Sequence, residues 1–141
     1  MKQFVLTFAI ILCAFSTAIA QDAEIDSVKK TLNYYLDGGT NNDFETLKKA
    51  FHETATMKYI RDGSYTEVNA VEFFKKVMKP GPKQNRETKI LSVDVSGHAA
   101  HAKLEIRYEN FSFIDYMNLL KVDGEWKVVS KIFYRKPHSE I

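Results

Sequence analysis

The order of apolar and polar positions divides the chain into a helical first half and a strand-rich second half. Across residues 22–36 the apolar positions Ile25, Val28, Leu32, Tyr35 and Leu36 fall three and four apart, the spacing that lines one face of an α-helix. Asp37-Gly38-Gly39 follows and predicts a stop, with glycine taking the left-handed cap. Asn41-Asn42-Asp43 offers caps for a shorter helix over residues 44–51, with Phe44, Leu47 and Phe51 on one face. Residues 54–60 are rich in β-branched and aromatic side chains and read as a strand. A turn at Arg61-Asp62-Gly63-Ser64 leads to a short returning strand at 65–68. Asn69 then caps a third helix with Val71, Phe74, Val77 and Met78 on one stripe, and Pro80-Gly81-Pro82 ends it.

From residue 86 onward the pattern is strand after strand: 86–95, 98–110, 111–122 and 126–135, with turns at Ser96-Gly97 and Asp123-Gly124. In the second of these, Ala100, Ala102, Leu104, Ile106 and Tyr108 share one parity, while His101, Lys103, Glu105, Arg107 and Glu109 share the other. That alternation predicts one buried and one wet face. The last strand is mixed. Trp126, Val128, Ser130, Ile132 and Tyr134 form one parity and are the expected core side. Lys127, Val129, Lys131, Phe133 and Arg135 form the other, and its Val129 and Phe133 predict an apolar outer patch suited to a homodimer contact. Helices first and an antiparallel meander afterwards is an α+β layout, with the helices packed on one sheet face.

The first twenty residues follow a different pattern. Met1-Lys2-Gln3 is a short positive start, residues 4–15 are apolar except Thr7, and Ser16-Thr17-Ala18-Ile19-Ala20 ends in A-x-A. This predicts a signal peptide over residues 1–20, cut before Gln21, and a single domain over 21–141. The apolar run is too short to span a bilayer core of roughly 30 Å as a helix. An exported protein, periplasmic or secreted, with no membrane association after cleavage is the expectation. Removing the signal also removes Cys13, the chain's one cysteine, and with it any disulfide, thiolate nucleophile or thiolate metal site. The formal net charge is +2, one unit of it from Lys2, and both signs are interspersed. No basic stripe exists to follow a phosphate backbone, so nucleic acid is not an expected partner.

Four stretches carry a family resemblance: Tyr35-Leu36-Asp37-Gly38; Ala50-Phe51-His52-Glu53-Thr54-Ala55; Ile90 through Gly97; and Asp115 through Phe133, the strand–turn–strand that closes the chain. Together with the order of elements, they resemble the nuclear transport factor 2-like superfamily, and within it the "putative lumazine-binding" family, from about Ile25 to Phe133. The resemblance implies a cone-shaped, strongly curved sheet wrapped round three helices and enclosing a pocket. Two positions depart from the family pattern. Glu53 stands where a proline is usual after the histidine, and Ser130 where an asparagine is common.

With the pocket placed between helices and concave sheet face, polar residues on apolar faces become the candidates. Burying such groups without partners costs roughly 1–3 kcal/mol. Asp115 depends on the register of the last hairpin. A two-residue loop at Asp123-Gly124 sets Asp115 opposite Ile132, Met117 opposite Ser130 and Leu119 opposite Val128, all facing inward. A three-residue loop sets Tyr116 opposite Ser130 and turns Asp115 outward. An inward Asp115 is a candidate acid or base. His52, expected at the end of the second helix, is a second titratable candidate at the pocket mouth. Tyr34, Tyr59, Tyr108 and Tyr116, with Met117, Ser130 and Ile132, are the expected ligand-binding set. His98 and His101 lie three apart on a strand, so they point to opposite faces and make a poor metal pair. No phosphate loop, nucleophile elbow or dinucleotide fingerprint occurs, so neither metal nor cofactor is implied.

The expected function is therefore an exported domain that binds a small apolar or aromatic molecule in a central pocket, without catalysis. One alternative is an isomerase- or lyase-type enzyme, since superfamily relatives use a buried Asp or His to move a proton beside a carbonyl. The other is an accessory module that binds a protein partner through its outer sheet face.

Overall fold

A computed structural model describes the backbone of residues 2–138 and the side chains of residues 20–138. Its first element, α1, is one continuous helix over Lys2–Thr40. The side chains of residues 1–19, most of the expected signal, lie outside the described part. Among the described residues no helix is long and apolar enough to cross a membrane. Val28 and Leu32 are fully buried and Leu36 nearly so, as the three-and-four spacing predicts.

The helix does not stop at Gly38-Gly39. It runs on to Thr40, and the left-handed residue after it is Asn42, with φ 55°. The two glycines instead allow close packing. A Cβ on Gly38 would sit 2.7 Å from the Leu47 Cα, and one on Gly39 would strike the Arg86 guanidinium. Helix α2 (Phe44–Leu47), capped by the Asp43 side chain on the Thr46 N–H, continues as a 3₁₀ turn over Lys48–Ala50. Strand β1 (Phe51–Arg61) starts at once, so His52 is a strand residue and not a helix end. A two-residue turn with positive φ at Asp62 and Gly63 returns the chain into β2 (Ser64–Asn69). Asn69 caps α3 (Ala70–Val77) by accepting from the Glu72 N–H.

Strands β3 (Glu87–Ser96), β4 (Ala99–Arg107), β5 (Phe111–Val122) and β6 (Glu125–Pro137) complete a six-stranded sheet in the order β2-β1-β6-β5-β4-β3. It is curved, not closed, and carries the three helices. The pairs are antiparallel except β1 with β6, which is parallel. The core lies between α1 and the concave face, where Ala102, Leu104 and Ile106 of β4 are buried and meet Met117 and Leu119 of β5. Burying each large side chain contributes about 1.5–3 kcal/mol.

The last hairpin departs from both anticipated registers. Asp123-Gly124 is a two-residue turn, and Leu119 pairs with Val128 as that turn requires. The register then shifts by one residue, so Asn118 pairs with Ser130, Met117 with Lys131 and Asp115 with Phe133. Val129 is the extra residue. Side chains alternate with period two, so one inserted residue moves everything after it to the opposite face. Trp126 and Val128 point inward, as expected. Beyond the bulge Lys131 and Phe133 point inward, while Ser130, Ile132 and Tyr134 lie on the outer face.

Candidate functional site

The inner surfaces of β1, β5 and β6, the end of α1 and α3 enclose a cavity of about 580 Å³. One part of its wall is aromatic, with Tyr59, Phe73, Phe74, Phe113 and Phe133 among the lining. The rings support one another: Tyr59 lies 4.9 Å from Phe133, and Phe113 meets Phe133 edge-on at 5.5 Å between centroids. Such pairs fix ring orientation beyond what burial of area alone would do.

One wall carries a charge. Lys131, buried among the rings, gives its Nζ to Asp115 Oδ1 at 2.7 Å, and Tyr35 of α1 donates its hydroxyl to Asp115 Oδ2 at 2.8 Å. Asp115 is fully buried and Lys131 3% exposed. Lys131 and Tyr35 reach the cavity; Asp115 stands behind them. An ammonium has three donors, and among the described residues Asp115 is the one acceptor for Lys131. The Phe133 ring lies 4.1 Å from Nζ and the Tyr35 ring 5.8 Å, stabilising the cation without using its donors. Two N–H donors are thus left for an oxygen in the cavity. Burial holds the Lys131 ammonium below the ordinary lysine value, and the Asp115 carboxylate opposes that shift. Burial and the Asp115 charge hold the Tyr35 phenol well above its ordinary value of 10.0, so it remains a donor.

A second polar group closes another side. Arg86 donates Nε to Thr40 Oγ1 at 2.9 Å, Nη2 to the Leu36 carbonyl at 3.0 Å and Nη1 to Tyr108 Oη at 3.0 Å. Tyr108 in turn donates to Gln84 Oε1 at 2.9 Å, and Gln84 Nε2 bonds the Gly39 carbonyl and Asn42 Oδ1. The guanidinium thereby satisfies the Leu36 carbonyl, and Gln84 that of Gly39, at the end of α1, where a cation also suits the helix dipole. Arg61, Lys79 and Arg135 stand among the lining with Asp62 as the one acid, so the cavity surroundings favour an anionic or oxygen-rich ligand.

The anticipated residues divide. Asp115 faces inward, and Tyr59 and Tyr108 line the cavity. Met117 is fully buried in the core and is not part of the lining. Tyr116 lies on the outer face beside Lys103 and His101. Ser130 and Ile132 are there too, turned out by the bulge; Ile132 is 49% exposed. Tyr34 faces a different surface groove, with Lys30, Lys49 and Lys127. His52 bonds the neighbouring Thr54 hydroxyl at 2.8 Å and lies apart from Asp115 and the cavity; it forms no acid–base pair there. The patch expected from Val129 and Phe133 is corrected as well. Phe133 is inside, and the exposed apolar residues of the outer face include Leu120, Ile132 and Tyr134. Lys131, Tyr35 and Arg86 were not anticipated as site residues. The signal for Lys131 was the mixed parity of the last strand, since apolar residues on both parities mark a register change.

Comparison with known proteins agrees with this geometry. A solved structure from Shewanella baltica OS155, described as an NTF2-like protein of unknown function, superposes with TM-score 0.75. Its sequence is 30% identical, over 82% of this chain and 96% of that one. An NTF2-like protein of unknown function from Methylobacillus flagellatus KT gives TM-score 0.71 and 29% identity, over 83% and 94%. Among curated proteins, Aldolase FrzH from Cladobotryum sp is 21% identical over 117 residues, 82% of this chain and 94% of its own length. The family model described as "Putative lumazine-binding" matches residues 23–134. With curved sheet, three helices and cavity in place, the chain belongs to that family and to the NTF2-like superfamily.

Proposed function

We propose that this protein is an exported binder of a small molecule with an aromatic or partly apolar body and a carbonyl or carboxylate oxygen. The carrying observation is Lys131, a buried ammonium with spare donors set beside the aromatic part of a cavity of about 580 Å³. Cavities of roughly 300–1,000 Å³ with few convergent polar groups are the usual dimensions of a ligand site. The body would stack on Tyr59 and Phe133 while the oxygen accepts from Lys131. The family's description supports a lumazine-like ring as the first probe. A homodimer through the outer face, where Ile132 and Tyr134 are exposed, belongs to the same proposal.

The test is a fluorescence titration with two probes, lumazine and 8-anilino-1-naphthalenesulfonate. Saturable one-to-one binding is expected for at least one, weakened in Tyr59→Ala and unchanged in Tyr116→Ala on the outer face. Absence of saturable binding, together with no retained small molecule in native mass spectra of protein from its source, would overturn the reading.

A second reading has its own support. Asp115, Lys131 and Tyr35 form a buried acid–base set, and one relative bears the name aldolase. On that reading the cavity holds a carbonyl substrate and the protein is a lyase-type enzyme. Turnover of a small aldehyde donor–acceptor pair, abolished by Lys131→Met, is the outcome that would favour it over simple binding.

A further inference from the structure

We propose that Lys131 is a covalent carbonyl-capturing residue, forming an imine with an aromatic or partly apolar aldehyde or ketone that enters the cavity. This rests on the cavity being a ligand site. The geometry meets three requirements of such chemistry. The amine must reach bound carbonyl carbon, and Lys131 is part of the cavity wall. It needs a base within one hydrogen bond to take its extra proton, and Asp115 Oδ1 lies 2.7 Å from Nζ. The apolar body of the carbonyl compound needs a surface beside the amine, and Phe113, Phe133 and Tyr59 form the adjacent wall. Burial also favours the neutral amine against the ammonium.

The steps balance without an outside reagent. The Lys131 ammonium gives one proton to the Asp115 carboxylate, and the neutral amine adds to the carbonyl carbon. As the N–C bond forms, a nitrogen proton passes to the former carbonyl oxygen, giving a carbinolamine. Asp115 returns its proton to that hydroxyl, the C–O bond breaks and water leaves. The protonated imine nitrogen then stands beside the restored carboxylate, which stabilises it. Tyr35, donating to Asp115 Oδ2 at 2.8 Å, is a positioning residue: it holds the carboxylate so that Oδ1 stays turned to Nζ.

The experiment uses the protein with benzaldehyde as probe, quenched with sodium borohydride to reduce any imine to a stable benzylamine. Intact mass spectra should show one benzyl group per chain at low probe excess, and peptide mapping should place it on Lys131 ahead of exposed lysines such as Lys29 and Lys89. Lys131→Arg, which keeps the cation on Asp115 but cannot form an imine, should lose that label. Label spread over the surface lysines with Lys131 unmodified overturns the inference, and the wild-type map decides this even if Lys131→Arg misfolds. Probe binding with no label on Lys131 refutes the imine alone, whereas no probe binding at all refutes the ligand site on which it rests.

Discussion

Removing the cation from the buried pair is the sharpest perturbation. Lys131→Met keeps nearly the same unbranched stem against Phe133 and deletes the charge, so packing changes little. The two ions are 2.7 Å apart, with side chains 4% and 0% exposed. At an effective dielectric of about 20 their attraction is about 6 kcal/mol, much of it offset by the several kcal/mol each ion loses on leaving water. The pair as a whole therefore adds little net stability, but breaking it leaves Asp115 charged and buried, at a cost of about 3–5 kcal/mol. Urea unfolding followed by Trp126 fluorescence should show that loss in the midpoint with an unchanged slope.

A charge-free control gives an independent check. The triple variant Lys131→Met/Asp115→Leu/Tyr35→Phe removes both charges and the hydroxyl that would be left without an acceptor. It should return to within about 1 kcal/mol of wild type. A single variant within about 0.5 kcal/mol of wild type at every pH would refute the claim that this pair is desolvated.

Other outcomes follow from the same packing. Gly38→Ala gains about 1 kcal/mol of helix propensity, but its Cβ would meet the Leu47 backbone nitrogen and lie 2.7 Å from the Leu47 Cα; overpacking of about 1–3 kcal/mol should leave a net loss of stability on thermal unfolding. Because the Tyr35 phenol is held well above 10.0, the folded state keeps a proton that the unfolded chain gives up. Its stabilising effect is complete below pH 10.0 and declines as pH rises beyond it, and Tyr35→Phe should flatten that part of an alkaline stability profile. Lys131, held below 10.5, acts in the opposite sense: its charging penalty fades as pH rises towards 10.5. Ile132→Glu on the outer face should shift a dimer to monomer in sedimentation velocity, leaving probe binding in the cavity intact; a wild type that is monomeric throughout would remove the dimer proposal.

Much of the fold was readable from the chain. The three-and-four spacing of Val28, Leu32 and Leu36 dictated the buried face of α1, and strict alternation from Ala100 to Ile106 dictated the inner face of β4. Those are local patterns, set by the 3.6- and two-residue periods of the backbone itself. Asn69 as a cap is local in the same sense, whereas the length of the turn at Asp123-Gly124, and with it the direction of Asp115, stayed open until the strand pairing was seen. What tertiary structure alone decided was everything after Val129. At the bulge β6 pairs with β5 on one side and runs parallel to β1 on the other, with register shifts against both. No window of sequence contains that constraint. It turned a lysine inward, where its charge is tolerable only because Asp115, sixteen residues earlier, and Tyr35, eighty residues before that, converge on it. The two glycines of α1 teach the same lesson: a residue that reads locally as a helix stop serves instead as room for the Leu47 backbone and the Arg86 guanidinium. Periodicity determines which way a regular segment faces; only the packed partners determine where the regularity is broken, and here the break builds the site.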